Sequence, residues 1–353
     1  MVHGETDAEL QALRIVSARV GADPLLVQGA GGNTSIKDGG TLWIKASGTW
    51  LKNAASSDIM VPVALRPLLD AVANESPTAD TPQLFTVAEK NPAGLRPSIE
   101  TTVHALMPQR AVIHVHCVET IAAAVRTDAE ALAAERLHGL NWAYVPYCKP
   151  GLALARAIAA RLKPETDVLV LGNHGIVVAA DTVAEAETLL AKVSGLLARP
   201  PRKPPAANIE ALQDLARESD YRLPAFAEAH AVATDAVSCA IARAGSLYPD
   251  HVIFLGEGVA VAGPSENAAT VAAREKAEGR NPVLILFPEH GVLVRADANA
   301  GAEAMARCLA DVCSRIPADA PLRYLTTAEI AELLNWDAEK YRQALNRQGG
   351  AAA

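Results

Sequence analysis

This chain is expected to form an α/β architecture: helices layered on a central mixed, mainly antiparallel sheet, followed by a second, degenerate copy of related architecture. Three features point there. Short apolar runs of strand length alternate with longer Ala-rich stretches of helical periodicity. Several of the runs are joined by turns too short for a crossover helix, which makes the neighbouring strands antiparallel. One strand–turn–strand–helix pattern also occurs twice, on either side of a proline-rich break.

From the amino terminus, Leu10, Leu13, Val16 and Val20 recur at helical spacing and predict a helix over residues 7–20. Strands over 33–37 and 41–46 flank Asp38-Gly39-Gly40, a hairpin signature. A strand follows over 58–63 and a helix over 65–72. Residues 98–107 read as a helix capped by Ser98 and stopped by Pro108. Residues 111–118 read as a strand leading into a helix from about 119, and 150–162 as a further helix. Strands over 168–171 and 176–179 then precede a helix over 182–197.

That helix must stop at residues 198–208, where four prolines can neither continue a helix nor join a central strand. The expected division is a domain over 1–198, a linker over 199–207 and a second domain over 208–353. The repeated pattern joins residues 167–181 (DVLVLGNHGIVVAAD) to 282–297 (PVLILFPEHGVLVRAD). In each, His-Gly lies in the turn, and an aspartate seven positions after the histidine (Asp181, Asp297) opens a helix. One inserted residue separates strand from turn in the second copy.

The net charge of −8 comes with no basic stripe, which gives nucleic acid no footprint; a local pocket can still oppose that sign for an anionic substrate. Five cysteines without a CxxC pair suit free thiols in a reducing compartment. No secretory signal is visible at the amino terminus, and no apolar run approaches the ~20 residues of a membrane span. A cytoplasmic protein with no membrane partner is expected.

The chemistry centres on His114 and His116. On a strand, residues i and i+2 share a face, so both imidazoles point one way from an otherwise apolar segment, and a metal ion satisfies both. His174, in Gly172-Asn173-His174-Gly175, reads either as a loop residue bonded to its own backbone or as a third ligand, its flanking glycines letting the backbone bend. Glu100 reads either as an acid favoured by the dipole of a helix first turn or as a carboxylate beside the metal, ligand or acid/base. His104 is a weaker ligand candidate that packs or faces solvent. His290 has the local context of His174 but no His-x-His in its half, which makes it a relic or a structural residue. The turn Gly29-Ala30-Gly31-Gly32-Asn33-Thr34-Ser35 and the turn at Ser47-Gly48 suit either plain turns or an anion nest, with Lys45 adding positive charge.

Taken in order, Gly31-Gly32-Asn33-Thr34-Ser35, Leu42-Trp43-Ile44-Lys45, Ser47-Gly48, Pro97-Ser98-Ile99-Glu100-Thr101, His114-Val115-His116 and Asn173-His174-Gly175 resemble the class II aldolase/adducin family. The likeness runs over roughly residues 8–197. It is closest to the aldolase part of bacterial bifunctional rhamnulose-phosphate aldolase/dehydrogenase proteins. The chain carries no dinucleotide fingerprint, so no dehydrogenase partner is expected within it.

By motif, the resemblance implies zinc ligands at His114, His116 and His174, an acid/base at Glu100, and phosphate contacts at Asn33, Ser47, Gly48 and Ser98. Ile99 stands where phosphate-using members carry a second serine, and the family's catalytic tyrosine, given by a neighbouring subunit, has no counterpart. The implied activity is cleavage or formation of a C–C bond in a ketose phosphate or related hydroxy-ketone through an enediolate, with a divalent metal, zinc before others, as Lewis acid. Decarboxylation or epimerisation would use the same ligands, and a non-catalytic interaction module, as in adducin, is the other class. The resemblance also implies a homo-oligomer, dimer or tetramer, and the repeat around His174 and His290 leads to the expectation that the degenerate copy stands in for a neighbour.

Overall fold

The computed structural model of the chain describes residues 2–335. These form two compact units, residues 2–120 with 129–198 and residues 121–128 with 199–335.

In the first unit, β1 (Asn33–Asp38) and β2 (Thr41–Lys45) pair antiparallel. The intervening Gly39 and Gly40 have φ of 51° and 83°, as a two-residue turn matched to strand twist requires. Five more strands, β3 (Met60–Ala64), β4 (Ala111–Val115), β5 (Trp142–Val145), β6 (Val168–Leu171) and β7 (Gly175–Ala180), complete a sheet of order β3-β2-β1-β4-β7-β6-β5. Of its neighbouring pairs only β5–β6 is parallel, so the sheet is mixed and mainly antiparallel.

The helices are α1 (Val2–Ala22), α2 (Leu65–Ala73), α3 (Thr101–Leu106), α4 (Val118–Ala124), α5 (Ala129–Arg136), α6 (Leu152–Ala159) and α7 (Val183–Leu197). Val103 and Met107, in and just after α3, and Leu154 and Ile158 of α6 pack with Val112, Leu169 and Val177 of the sheet. Alternation along β4 therefore turns His114, which shares a face with Val112, toward α3. Its cross-strand partners are Asn33 on β1 and Val177 on β7. A central strand with polar neighbours on one face is how the fold brings a buried site to α3.

Two boundaries differ from expectation with consequences for that site. β4 ends at Val115, so His116 lies one residue beyond the strand. α3 begins at Thr101, and its N-cap is Glu100 rather than Ser98.

The second unit holds α8 (Ile209–Leu215), α9 (Ala231–Thr234), α10 (Ala236–Ala244), α11 (Pro249–Leu255), α12 (Ala268–Ala277), α13 (Ala300–Cys313) and α14 (Thr327–Leu334). Its strands are β8 (Tyr221–Arg222), β9 (Ala260–Val261), β10 (Leu284–Phe287) and β11 (Gly291–Arg295), in the order β8-β11-β10-β9. This order and its polarities repeat those of β4-β7-β6-β5: the outer pair at the β9 end is parallel and the others antiparallel.

Leu171 pairs with Gly175, and Phe287 with Gly291, so the two hairpin turns are equal in length. The extra residue read from the sequence falls before the strand, not between strand and turn. The residue before each histidine is left-handed, Asn173 at φ 52° and Glu289 at 69°. The helices that follow are capped by Thr182 and Asn299 rather than by the aspartates. Because Val178 faces Ile113 and Val294 faces Arg222, counting along the shared register places Leu223 and Ala225 where His114 and His116 stand. Pro224, which cannot donate to a ladder, lies just past the short β8.

Nor is the proline-rich stretch a loose tether. Arg202 donates to Asp235 Oδ2 at 2.8 Å, Ser238 Oγ at 2.9 Å and the Cys313 carbonyl at 2.7 Å, all within the second unit.

Candidate metal centre

Glu100, His114, His116 and His174 come together, all buried, with one potential ligand atom of each within 4.8 Å of every other. The three imidazole rings sit 5.0–5.1 Å apart centre to centre. Glu100 Oε2 lies 3.3 Å from His114 Nε2, and Oε1 lies 3.2 Å from His174 Nε2.

Each ligand has a local cause. His114 Nδ1 donates to the Ile176 carbonyl at 2.9 Å on β7, which leaves the Nε2 lone pair facing the cluster. Glu100, at the N-cap of α3, makes no capping hydrogen bond; its carboxylate turns to the imidazoles instead. The first-turn dipole explanation for this acid therefore does not describe its side chain. The glycines around His174 act by close approach, not by bending. A Cβ on Gly175 would stand 2.5 Å from the Val115 carbonyl oxygen, and one on Gly172 would stand 2.6 Å from the Tyr144 hydroxyl. The left-handed residue is Asn173 between them.

A divalent ion fits this donor set. Buried Glu100 Oε1 accepts no hydrogen bond among the described residues. An imidazole lone pair beside a carboxylate, with no proton between them, is costly to bury unless a cation takes both. Three nitrogens and a carboxylate are what zinc accepts, with room for substrate.

Burial alone would raise the Glu100 carboxyl; without a metal, His114 and His174, when those rings carry the proton, outweigh burial by charge and hydrogen bonding and hold it well below the usual carboxylate range. Burial lowers His174, only partly opposed by Glu100, and so favours the neutral ring a metal needs.

Behind the cluster lies a layer the sequence reading missed. Asn33 Nδ2 donates to Glu100 Oε2 at 2.9 Å and to Ser98 Oγ at 3.2 Å. Asn33 Oδ1 meets His104 Nε2, and His104 Nδ1 lies 2.7 Å from Ser35 Oγ. His104 is fully buried, neither solvent-facing nor a ligand. Its spacing of four from Glu100 was the available signal, since i and i+4 share a helix face.

Ser98 N–H donates to the Lys45 carbonyl at 3.1 Å, and Ser47 N–H to the Arg96 carbonyl at 2.8 Å. Ser47 and Gly48 thus adjoin the segment leading to Glu100. The buried Lys45 ammonium donates to the carbonyls of Ala30 and Thr49, both at 2.8 Å, and so ties the glycine-rich turn to the Ser47-Gly48 turn.

A cleft of about 1030 Å³ in the second unit, bordered by Arg243, Glu266, Arg274, Glu275, Arg280 and His290, includes none of these ligands. Arg274 and Arg280 are already paired there with Glu266 and Glu275, so the chemical reading rests on the imidazole cluster.

The family described as class II aldolase and adducin N-terminal domain matches residues 16–197, which hold the whole cluster. The chain belongs to this family. Among curated relatives of this class II aldolase/adducin chain, an uncharacterized oxidoreductase, YuxG of Bacillus subtilis (strain 168), is 28% identical over 178 residues. That segment is 46% of this chain and only 25% of the relative.

The N-terminal class II aldolase domain of a conserved protein from Thermoplasma acidophilum is similar over 52% of this chain and 90% of its own, at 28% identity and TM-score 0.44. An L-fuculose-1-phosphate aldolase from Thermus thermophilus is similar over 53% of this chain and 92% of its own, at 20% identity and TM-score 0.35. No helix among the described residues of this family member is long and apolar enough to cross a membrane.

Proposed function

We propose that the first unit is a metal-dependent aldolase that cleaves or forms a C–C bond in a ketose phosphate or related hydroxy-ketone. One observation carries the reading: Glu100 meets three buried imidazoles within a chain of the class II aldolase/adducin family. An interaction module without chemistry would have no need of that intact donor set.

His114, His116 and His174 would hold the ion, zinc being best suited to three imidazoles. When bound, a divalent ion polarises a carbonyl and offsets the negative charge that develops as the C–C bond breaks. The chain's own groups do the rest. Glu100 Oε2 is held by the Asn33 amide, which leaves Oε1, free of a hydrogen-bond donor, to take and return a proton. Buried Val112 and Val177 beside the cluster exclude water. Ser47, Gly48 and Ser98 would bind the substrate's phosphate or terminal hydroxyl, with Asn33 holding Ser98 Oγ through its amide, and Ile99 makes that grip weaker by one hydroxyl.

The oxidoreductase name belongs to a relative of which this match is a quarter, and we read the matched quarter as its aldolase-like part. The repeated strand order in the second unit supports reading residues 208–353 as a degenerate copy, and the family resemblance supports a homo-oligomer as the working assembly.

The test is a screen of phosphorylated and free ketoses for triose release by zinc-loaded and chelated protein. Release that stops with chelator and returns with zinc is expected. No release from any ketose by metal-replete protein, or release indifferent to chelator, would overturn the proposal.

A further inference from the structure

Four side chains in series lead away from the cluster, and chemistry fixes the direction of each hydrogen bond. A carboxylate can only accept, so Asn33 must turn its NH2 to Glu100 Oε2, as it does at 2.9 Å. The amide's Oδ1 then faces His104 Nε2, and an oxygen can only accept, so that nitrogen must carry the proton. A neutral imidazole with its proton on Nε2 has a lone pair on Nδ1, which accepts a hydrogen bond from the Ser35 hydroxyl at 2.7 Å. The whole series is buried: His104 and Ser35 are fully enclosed and Asn33 is 3% exposed, so no solvent competes for these bonds. Asn33 and Ser35 are two apart on β1, on one face, with His104 spanning them from α3.

We propose that His104 is a positioning residue which, anchored by Ser35, fixes the Asn33 amide with its NH2 toward Glu100 and so leaves Glu100 Oε1 aimed at the imidazole cluster. This rests on the reading of Glu100 as the proton-moving group. Were the ring in its other tautomer, Nε2 would demand the Asn33 NH2, and the amide would present an oxygen to a carboxylate. His104 touches neither ion nor substrate; it acts through Asn33.

Two measurements test it. The first is independent of turnover: nitrogen NMR of imidazole-labelled protein, with the His104 signals assigned among the nine histidines by their loss in His104→Gln. His104 should show a proton on Nε2 and none on Nδ1, with and without zinc. A proton on Nδ1 would overturn the proposal whatever the enzyme's activity. In Ser35→Ala, which removes the hydroxyl donor to Nδ1, the proton should stay on Nε2, held by Asn33 Oδ1, while the Nδ1 signal shifts; an Nδ1 signal unchanged by that loss would also count against it.

The second is kinetic. His104→Phe should retain its metal and KM but lose about 10-fold in kcat, the worth of one orienting hydrogen bond, and His104→Gln should regain most of it by restoring a donor. If His104→Phe fails to fold, Ser35→Ala carries the kinetic comparison. Turnover equal to wild type in these variants would refute the role of His104. Absence of turnover in the wild type would instead refute the aldolase reading, leaving the NMR result to decide this one.

Discussion

Replacing Gly175 with alanine should cost both stability and metal. The added Cβ would stand 2.5 Å from the Val115 carbonyl oxygen and 3.3 Å from His116 Cα. Ordinary contact needs about 3.4 Å, so β4 and β7 must part by up to roughly 0.9 Å in a close-packed interior. The clash is with backbone at the paired residues Val115 and Ile176, so no side-chain rotation relieves it. Overpacking of this kind costs about 2–3 kcal/mol. For a unit of this size that corresponds to a fall of about 4–12 °C in melting temperature.

His116, next to the clash, would move further than the ~0.2 Å that metal–ligand bonds tolerate, and zinc affinity should drop by about 10-fold or more. Calorimetry and titration against a chromophoric chelator measure the two effects. Gly195→Ala is the control. It lies within α7 with no atom within 4 Å of its added Cβ, and should stabilise by about 0.5–1 kcal/mol. A Gly175→Ala protein that melts with the wild type and holds zinc as tightly would show that the glycine is not there for strand approach.

Glu100→Gln should keep the metal, since the three imidazoles remain, while turnover falls by ~10²-fold or more; unchanged turnover would remove Glu100 from the mechanism. Zinc at 1,000 times its dissociation constant should stabilise the folded chain by about 4 kcal/mol in calorimetric scans, and His114→Ala should abolish the effect. Stability should fall on acidification. His104 is lowered to about 3 and His251 to about 4, both by burial, against about 6.5 unfolded. Below pH 6.5 the unfolded chain therefore binds protons the folded chain does not. Stability is complete above that pH and declines by about 1.4 kcal/mol per unit for each group on the way down to pH 4 and 3. Equal urea midpoints at pH 7 and pH 5 would contradict it. Residues 1–198 alone should retain zinc but lose activity if the second half completes the assembly; a fully active fragment would dismiss that role.

What could be read from the sequence were features with a short period. The His114/His116 spacing puts two rings on one face whatever the strand's exact end, which is why the cluster survives β4 stopping at Val115. Gly39-Gly40 announced its hairpin for a similar reason, since few residues tolerate both positive φ values. Features that depend on distant partners were not legible. β5 (Trp142–Val145) is a four-residue edge whose pairing with β6 no local pattern reveals. Gly175 looks like a hinge until Val115 is seen against it. His104 could be read only as packing or facing solvent because Asn33, its partner, is 71 positions away. The motif likeness gave Asn33 to a phosphate, whereas in the fold its amide already has Glu100 and Ser98.

The left-handed residue ahead of His174 recurs ahead of His290, in a hairpin whose neighbouring segment carries Leu223 and Ala225 in place of His114 and His116. A bend that persists where no such cluster forms among the described residues is owed to the hairpin itself. A cation held by His114, His116 and His174 would therefore enter a cradle already shaped, and entropy lost on capture would fall mainly on the ion and its waters rather than on the chain.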